Sequence, residues 1–120
     1  MRYELADAAE RDIRDTAEMF GLRQVEVYST IIERAFEMIA ENPSRPNSSD
    51  CSEMYPGVRK LHLQIASGRR GGAAHCVYYL ETRLTDDSIG VMILRVLHEH
   101  MEPRHRVVKT LSVVDKKKGA

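Results

Sequence analysis

Ile89-Gly90-Val91-Met92-Ile93-Leu94-Arg95-Val96-Leu97 is the stretch from which the architecture follows. Arg95 is its one charged residue. A strand with one wet face alternates polar and apolar side chains, and this run does not. It reads as a central strand covered on both faces. Upstream, Ala74–Leu80 is a second strand, rich in β formers at Cys76-Val77-Tyr78-Tyr79. Thr85-Asp86-Asp87-Ser88 between the two is hairpin chemistry. A third strand is expected over Val58–Ile65, with Leu61, Leu63 and Ile65 on one face and Lys60, His62 and Gln64 on the other. Ser67-Gly68-Arg69-Arg70-Gly71-Gly72 turns it into the second. These three runs make an antiparallel meander.

Residues 42–57 carry turn residues without periodicity, from Asn42-Pro43 through Ser48-Ser49-Asp50 to Pro56-Gly57, and read as a loop within the domain. Before it, Tyr28, Ile32, Ala35, Phe36 and Ile39 share one face of a helix running from about Arg23 to Glu41. Asn42-Pro43 stops that helix, because the residue before a proline is driven out of the α region. Ala9, Ile13, Ala17 and Phe20 mark an earlier helix. Asp7 and Glu10 form its capping pattern, and Gly21 closes it. Arg2-Tyr3-Glu4-Leu5 alternates as a short first strand. The order is β-α-α-β-β-β. The expected fold is α+β: a short N-terminal strand and an antiparallel helical hairpin packed on a small antiparallel β-sheet. Residues 1–106 make up the expected domain. Residues 107–120, ending Lys116-Lys117-Lys118-Gly119-Ala120, read as a flexible basic tail.

With 120 residues the chain is one domain's worth of sequence and can bury a core without staples. No apolar run approaches the roughly 20 residues that span a bilayer, and Met1-Arg2-Tyr3-Glu4-Leu5 opens no apolar signal region. A cytoplasmic protein without a membrane partner is therefore expected. Cys51 and Cys76 fit two reduced thiols, since their spacing suggests neither a disulfide framework nor a metal motif. The zero net charge conceals a division. Residues 1–54 hold twelve acids and six bases, and residues 55–120 hold six acids and twelve bases. Either one face addresses an anionic partner, or the two halves neutralise each other within the fold.

Five short words in this order resemble the RelE/ParE toxin superfamily, between about Tyr3 and His105. Ala8-Ala9-Glu10-Arg11-Asp12-Ile13 resembles the family's first helix. Ala35-Phe36 through Ala40-Glu41-Asn42-Pro43 resembles the end of its second. Tyr55-Pro56-Gly57-Val58-Arg59-Lys60-Leu61 resembles the glycine-plus-basic approach to the second strand, and Val77-Tyr78-Tyr79 the aromatic third strand. Ile93-Leu94-Arg95-Val96-Leu97-His98, followed by Met101-Glu102-Pro103-Arg104-His105, looks like the ending of the ParE branch. The long Ser67–Ala74 connection and the extension after Arg106 depart from the pattern.

The resemblance implies a toxin of a type II toxin–antitoxin system, with a cognate antitoxin as partner and DNA gyrase as target. Arg69, Arg70, Arg104, His105 and Arg106 are then candidates for the target-facing surface. Phe20, Tyr28, Ile31 and Phe36, with an exposed sheet edge, are candidates for the antitoxin-facing one. No catalytic residue and no cofactor are expected on that branch. The alternative is the RelE branch, a ribosome-dependent mRNA endonuclease. Such an enzyme needs a base for the 2′-hydroxyl, an acid for the leaving oxygen and cations for the phosphorane. Lys60, His62, Arg95, His98 and His100 are the residues available for it, with His75 and His105 nearby. A third reading is an interaction module that keeps the fold without toxicity. Arg95 is either a functional cation or a structural arginine paired with a helix acid such as Glu33 or Glu37. His98 and His100 alone make a poor zinc site. Gly68-Arg69-Arg70-Gly71-Gly72 lacks the lysine ending and the following helix of a phosphate-binding loop.

Overall fold

The structure, a computed structural model, describes residues 1–19, 22–68 and 73–119. Its centre is the apolar run. Strand β5 (Ile89–His98) lies between β1 (Tyr3–Leu5) and β4 (His75–Arg83), and the sheet continues through β3 (Arg59–His62) to β2 (Ser49–Asp50) in the order β1-β5-β4-β3-β2. The pairings among β2, β3, β4 and β5 are antiparallel, as the meander predicts. β1 is parallel to β5, with Tyr3 opposite Val91 and Leu5 opposite Ile93, so the sheet is mixed. The short β2 falls within the segment read as loop.

Both faces of β5 are buried. Val91, Ile93 and Val96 join one core with Ala9, Ile32, Phe36, Ile39, Val77 and Tyr79. Met92, Leu94 and Leu97 join another with Val58, Cys76, Tyr78, Val107 and Leu111. Strict alternation would not put Ile93 and Val96 on the same side. A bulge does so: Tyr78 pairs with Arg95 and the adjacent Tyr79 with Ile93, which leaves Leu94 as the extra residue of β5.

Helices α1 (Asp7–Glu18) and α2 (Leu22–Glu41) supply the first face, α1 against β1 and β5, α2 against β5. On α2 the predicted stripe is the buried one: Ile32, Ala35, Phe36 and Ile39 are in the core and Tyr28 is half-buried. α1 starts one position earlier than the capping pattern suggests. Ala6 occupies the N-cap, its carbonyl accepting from the amides of Ala9 and Glu10, while Asp7 and Glu10 add negative charge to the first turn. Phe20 and Gly21 lie outside the described residues.

Two expectations change. The strand predicted over Val58–Ile65 stops at His62, and Leu63–Ser67 forms a short helix, α3. The His62 ring caps it, Nδ1 accepting from the Gln64 amide at 3.1 Å, and Gly68 closes it in the left-handed region at φ 71°. Leu63 and Ala66 are buried while Ile65 is 39% exposed, a helical pattern and not the alternating one. The second change is at the other end. Residues 107–119, read as a flexible basic tail, belong to helix α4 (Arg104–Gly119). Val107, Leu111 and Val114, spaced i, i+4, i+7, are buried in the second core. This helix covers the face of β5 opposite α1 and α2, which lysines at the end of the sequence conceal when the segment is judged by composition.

Gly90 allows β1 to come close. A Cβ there would meet the Arg2 carbonyl oxygen and Leu84 Cδ1, each at 2.5 Å, and Arg2 O accepts the adjacent Val91 amide at 3.0 Å. Gly90→Ala is expected to destabilise the fold by about 1–3 kcal/mol through this overlap. A thermal melt checks it, and an unchanged midpoint would show that β1 can move aside without loss.

Candidate functional site

Arg95, a cation of the predicted nuclease set, is committed to the fold. Its Nε donates to Asp12 Oδ2 at 2.7 Å and its Nη2 to Oδ1 at 2.8 Å, a two-pronged pair between β5 and α1. Asp12 Oδ2 also accepts the Val96 amide at 2.9 Å. Both side chains are largely buried. The hydrogen bonds to Asp12 hold the Arg95 pKa above its ordinary value, against the effect of burial. The partner is Asp12 of the first helix, where Glu33 and Glu37 of the second had been the expected acids.

The histidines collect at one end of the sheet. His75 stands opposite His98 across β4 and β5. Tyr28, His75, His98 and His100 form a chain of ring contacts with centroid separations of 5.4, 5.4 and 5.1 Å. His62 Nε2 lies 2.7 Å from Glu99 Oε2, and His100 Nε2 lies 3.8 Å from Glu99 Oε1. Because His62 Nδ1 accepts the Gln64 amide, a neutral ring carries its proton on Nε2 and donates it to Glu99. That hydrogen bond lowers the Glu99 pKa. His98 Nδ1 likewise accepts the His100 amide at 3.2 Å. Two of the candidate bases therefore already have Nδ1 engaged as an acceptor in local structure. Among the described residues there is no group of three or more His, Cys, Asp or Glu placed to hold a metal ion.

The faces divide the rest. Residues paired across an antiparallel ladder share a face. Lys60 pairs with Tyr78 and His62 with Cys76, and both partners belong to the α4-side core. His75 and His98 alternate with these and lie on the side of Tyr28 and α2. The five residues of the nuclease reading thus fall into four places. Arg95 is paired, Lys60 and His62 project on one side of the sheet, and His98 projects on the other. His100 lies in the turn after β5, its side chain 82% exposed.

His75 Nδ1 is buried without a hydrogen-bond partner among the described residues. Burial lowers the His75 pKa, with His98 and His62 adding to the effect and Asp12 and Glu99 opposing it. The sign follows. The folded ring resists protonation, so the unfolded chain binds protons first as pH drops below about 6.5, the usual histidine value. Stability is full above that value and declines beneath it. The depressed Glu99 acts in the same direction at lower pH, its contribution being lost as the carboxylate protonates. Melting temperature is expected to drop between pH 7 and pH 5, and His75→Phe, which packs in the same space without a proton to accept, to flatten that drop. An H75F profile parallel to the parent's would assign the acid sensitivity elsewhere.

The target-facing candidates sit at the start of α4. The Glu102 carboxylate accepts the amides of Arg104 (2.7 Å) and His105 (3.2 Å), so the acid of the Glu102-Pro103-Arg104-His105 word caps the helix. Arg104 and His105 are exposed, and Arg106 is half-buried with Nη1 donating to the Glu102 carbonyl at 2.7 Å. Arg69 and Arg70 lie outside the described residues. Of the antitoxin-facing candidates, Phe20 is also outside them. Phe36 is 3% exposed and packs on the Tyr3 ring at 5.3 Å, so its side chain serves the core and offers nothing to a partner. Tyr28 and Ile31 are half-buried against the same core. Burial raises the Tyr28 pKa.

Sequence reasoning missed an open cleft of about 1050 Å³ beside the edge strand β1. Tyr3 and Leu5 form part of its wall, with Glu10 and Arg11 of α1, Thr85 of the β4–β5 turn and Lys109 of α4 around them. The signal available for it was the stripe Val107, Leu111, Val114, which places α4 opposite the edge. Among the described residues no helix is long and apolar enough to cross a membrane.

Residues 3–103 match a family model described as the ParE toxin of the type II toxin–antitoxin system parDE. A search of curated proteins finds no match.

Proposed function

The chain belongs to the ParE toxin family of type II toxin–antitoxin systems, and from that premise we propose that it acts by binding DNA gyrase and is neutralised by a cognate antitoxin. The observation that carries the binding reading over RNA cleavage is the Arg95–Asp12 pair. It commits the strand arginine of the nuclease set to the fold. Proton transfer and charge neutralisation at one phosphate require their groups within a few ångströms of it. Lys60 and His98 stand on opposite sides of the sheet. The basic start of α4, with Arg104, His105 and Arg106, is the surface assigned to the target.

The antitoxin reading is supported by the edge. β1 ends the sheet, and the cleft runs beside it. An edge strand with an adjoining groove suits an extended segment that folds on binding. With Phe36 in the core, the receiving surface is assigned to β1 and the cleft, flanked by Glu10 and Lys109.

Supercoiling by purified gyrase is the test. Excess protein is expected to inhibit it, and prior mixing with the antitoxin encoded beside this chain to restore it. Unimpaired supercoiling, together with cleaved messenger RNA on induction in a bacterial host, would replace this reading with the nuclease one.

A further inference from the structure

The family match ends at residue 103, and α4 begins at Arg104. The charge of the chain divides at the same place. Residues 104–120 contain Arg104, Arg106, Lys109, Lys116, Lys117 and Lys118 against the single acid Asp115, a net +5. The remainder of the neutral chain therefore carries −5. Burial of Val107, Thr110, Leu111 and Val114 fixes which side of α4 faces away. His105, Lys109 and Ser112, at i, i+4 and i+7, lie along the exposed side. Neither Arg104 nor Lys109 forms an ion pair with any described residue.

We propose that the outward face of α4 is a docking surface for the phosphate backbone of duplex DNA, read without regard to sequence. A uniform polyanion needs only clustered positive charge, and residues 104–118 hold six bases against one acid within roughly 20 Å of helix. The acidic remainder repels the same polyanion and turns α4 toward it. A membrane surface would need bulky apolar or aromatic side chains beside the cations. The outward side of α4 has Val108 and Val113, and the helix has no Phe, Tyr or Trp. The same lack of aromatic platforms disfavours single strands, whose bases bind by stacking. The inference is independent of gyrase, because naked DNA is the ligand.

The experiment is fluorescence anisotropy of a short labelled duplex with the full chain at low salt and along a salt series. Saturable binding is expected, with log affinity falling against log salt at a slope of about −4 for four or five neutralised phosphates. Lys109→Glu with Lys116→Glu and Lys117→Glu should weaken binding at least tenfold, while Arg45→Glu with Arg83→Glu leaves it unchanged. Circular dichroism verifies the fold. If the triple variant melts early, Lys109→Gln and Lys116→Gln take its place, each expected to reduce the slope by about one. Three results overturn the proposal: no saturable binding at low salt, equal binding by parent and α4 variants, or binding to phosphatidylserine vesicles with none to the duplex.

Discussion

Asp12→Ala is expected to lower the melting temperature by roughly 10–20 °C, the consequence of a loss of about 3–5 kcal/mol. The carboxylate satisfies three donors at once: Nε and Nη2 of Arg95 and the Val96 amide. Removing it leaves a largely buried guanidinium and a strand N–H without acceptors. That penalty exceeds what the ion pair itself contributes, since a paired charge in the interior roughly offsets its own desolvation. Two further variants separate the terms. Asp12→Asn keeps an acceptor for Val96 and should lose less. In Asp12→Ala with Arg95→Met the stranded charge is gone, and part of the stability should return. If D12A melts with the parent, or the double variant is worse than either change alone, the pair is not the clamp between α1 and β5 described above. A corollary concerns function. Loss of toxicity in an Arg95 variant should track the loss of folded protein, whereas a catalytic arginine would lose activity at full folding.

Truncation after Pro103 should be comparably damaging. It removes Val107, Leu111 and Val114 and uncovers Met92, Leu94 and Leu97 of the central strand. Burial of three aliphatic side chains, each contributing roughly 1.5–3 kcal/mol, sets the expected loss on the order of 5 kcal/mol. That is a large part of the stability of an ordinary domain. The truncated chain should bind a hydrophobic dye and melt far below the parent, or precipitate. Leu111→Ala in the full chain should show a milder version, about 2–4 kcal/mol. A truncated chain that melts with the parent would show that residues 104–120 add nothing to stability, in line with the flexible tail expected over residues 107–120. Leu111→Ala alone separates this packing from DNA binding, since it touches the buried stripe and leaves the bases in place, whereas the truncation removes both.

Much of the architecture is legible from local pattern. The run Ile89–Leu97 identifies its own place in the sheet, because a strand without polar alternation has no side to give to water. The stripe Tyr28, Ile32, Phe36, Ile39 identifies the inner side of α2 by the same reasoning at helical period. Where two local rules compete, the pattern misleads. Leu61, Leu63 and Ile65 alternate like a strand, yet His62 caps a helix that starts at Leu63. Val107, Leu111 and Val114 carry a clear helical period beneath the lysines that follow, and composition hides it.

The site is less legible than the fold. The words shared with the ParE family are visible along the chain, and they mark the family correctly. The fate of the individual side chains is not visible there. Phe36 reads equally well as a partner-facing aromatic or a core one, and the Tyr3 ring, brought to it by the pairing of β1 with β5, makes it core. Arg95 reads equally well as a reagent or a strut. Periodicity, capping and turn chemistry act over a few residues, so the chain alone determines its elements and most of their buried sides. Asp12 lies 83 positions from Arg95. Only the packing of α1 on β5 brings that carboxylate within reach, and with it decides which of the cations remain free to meet a partner.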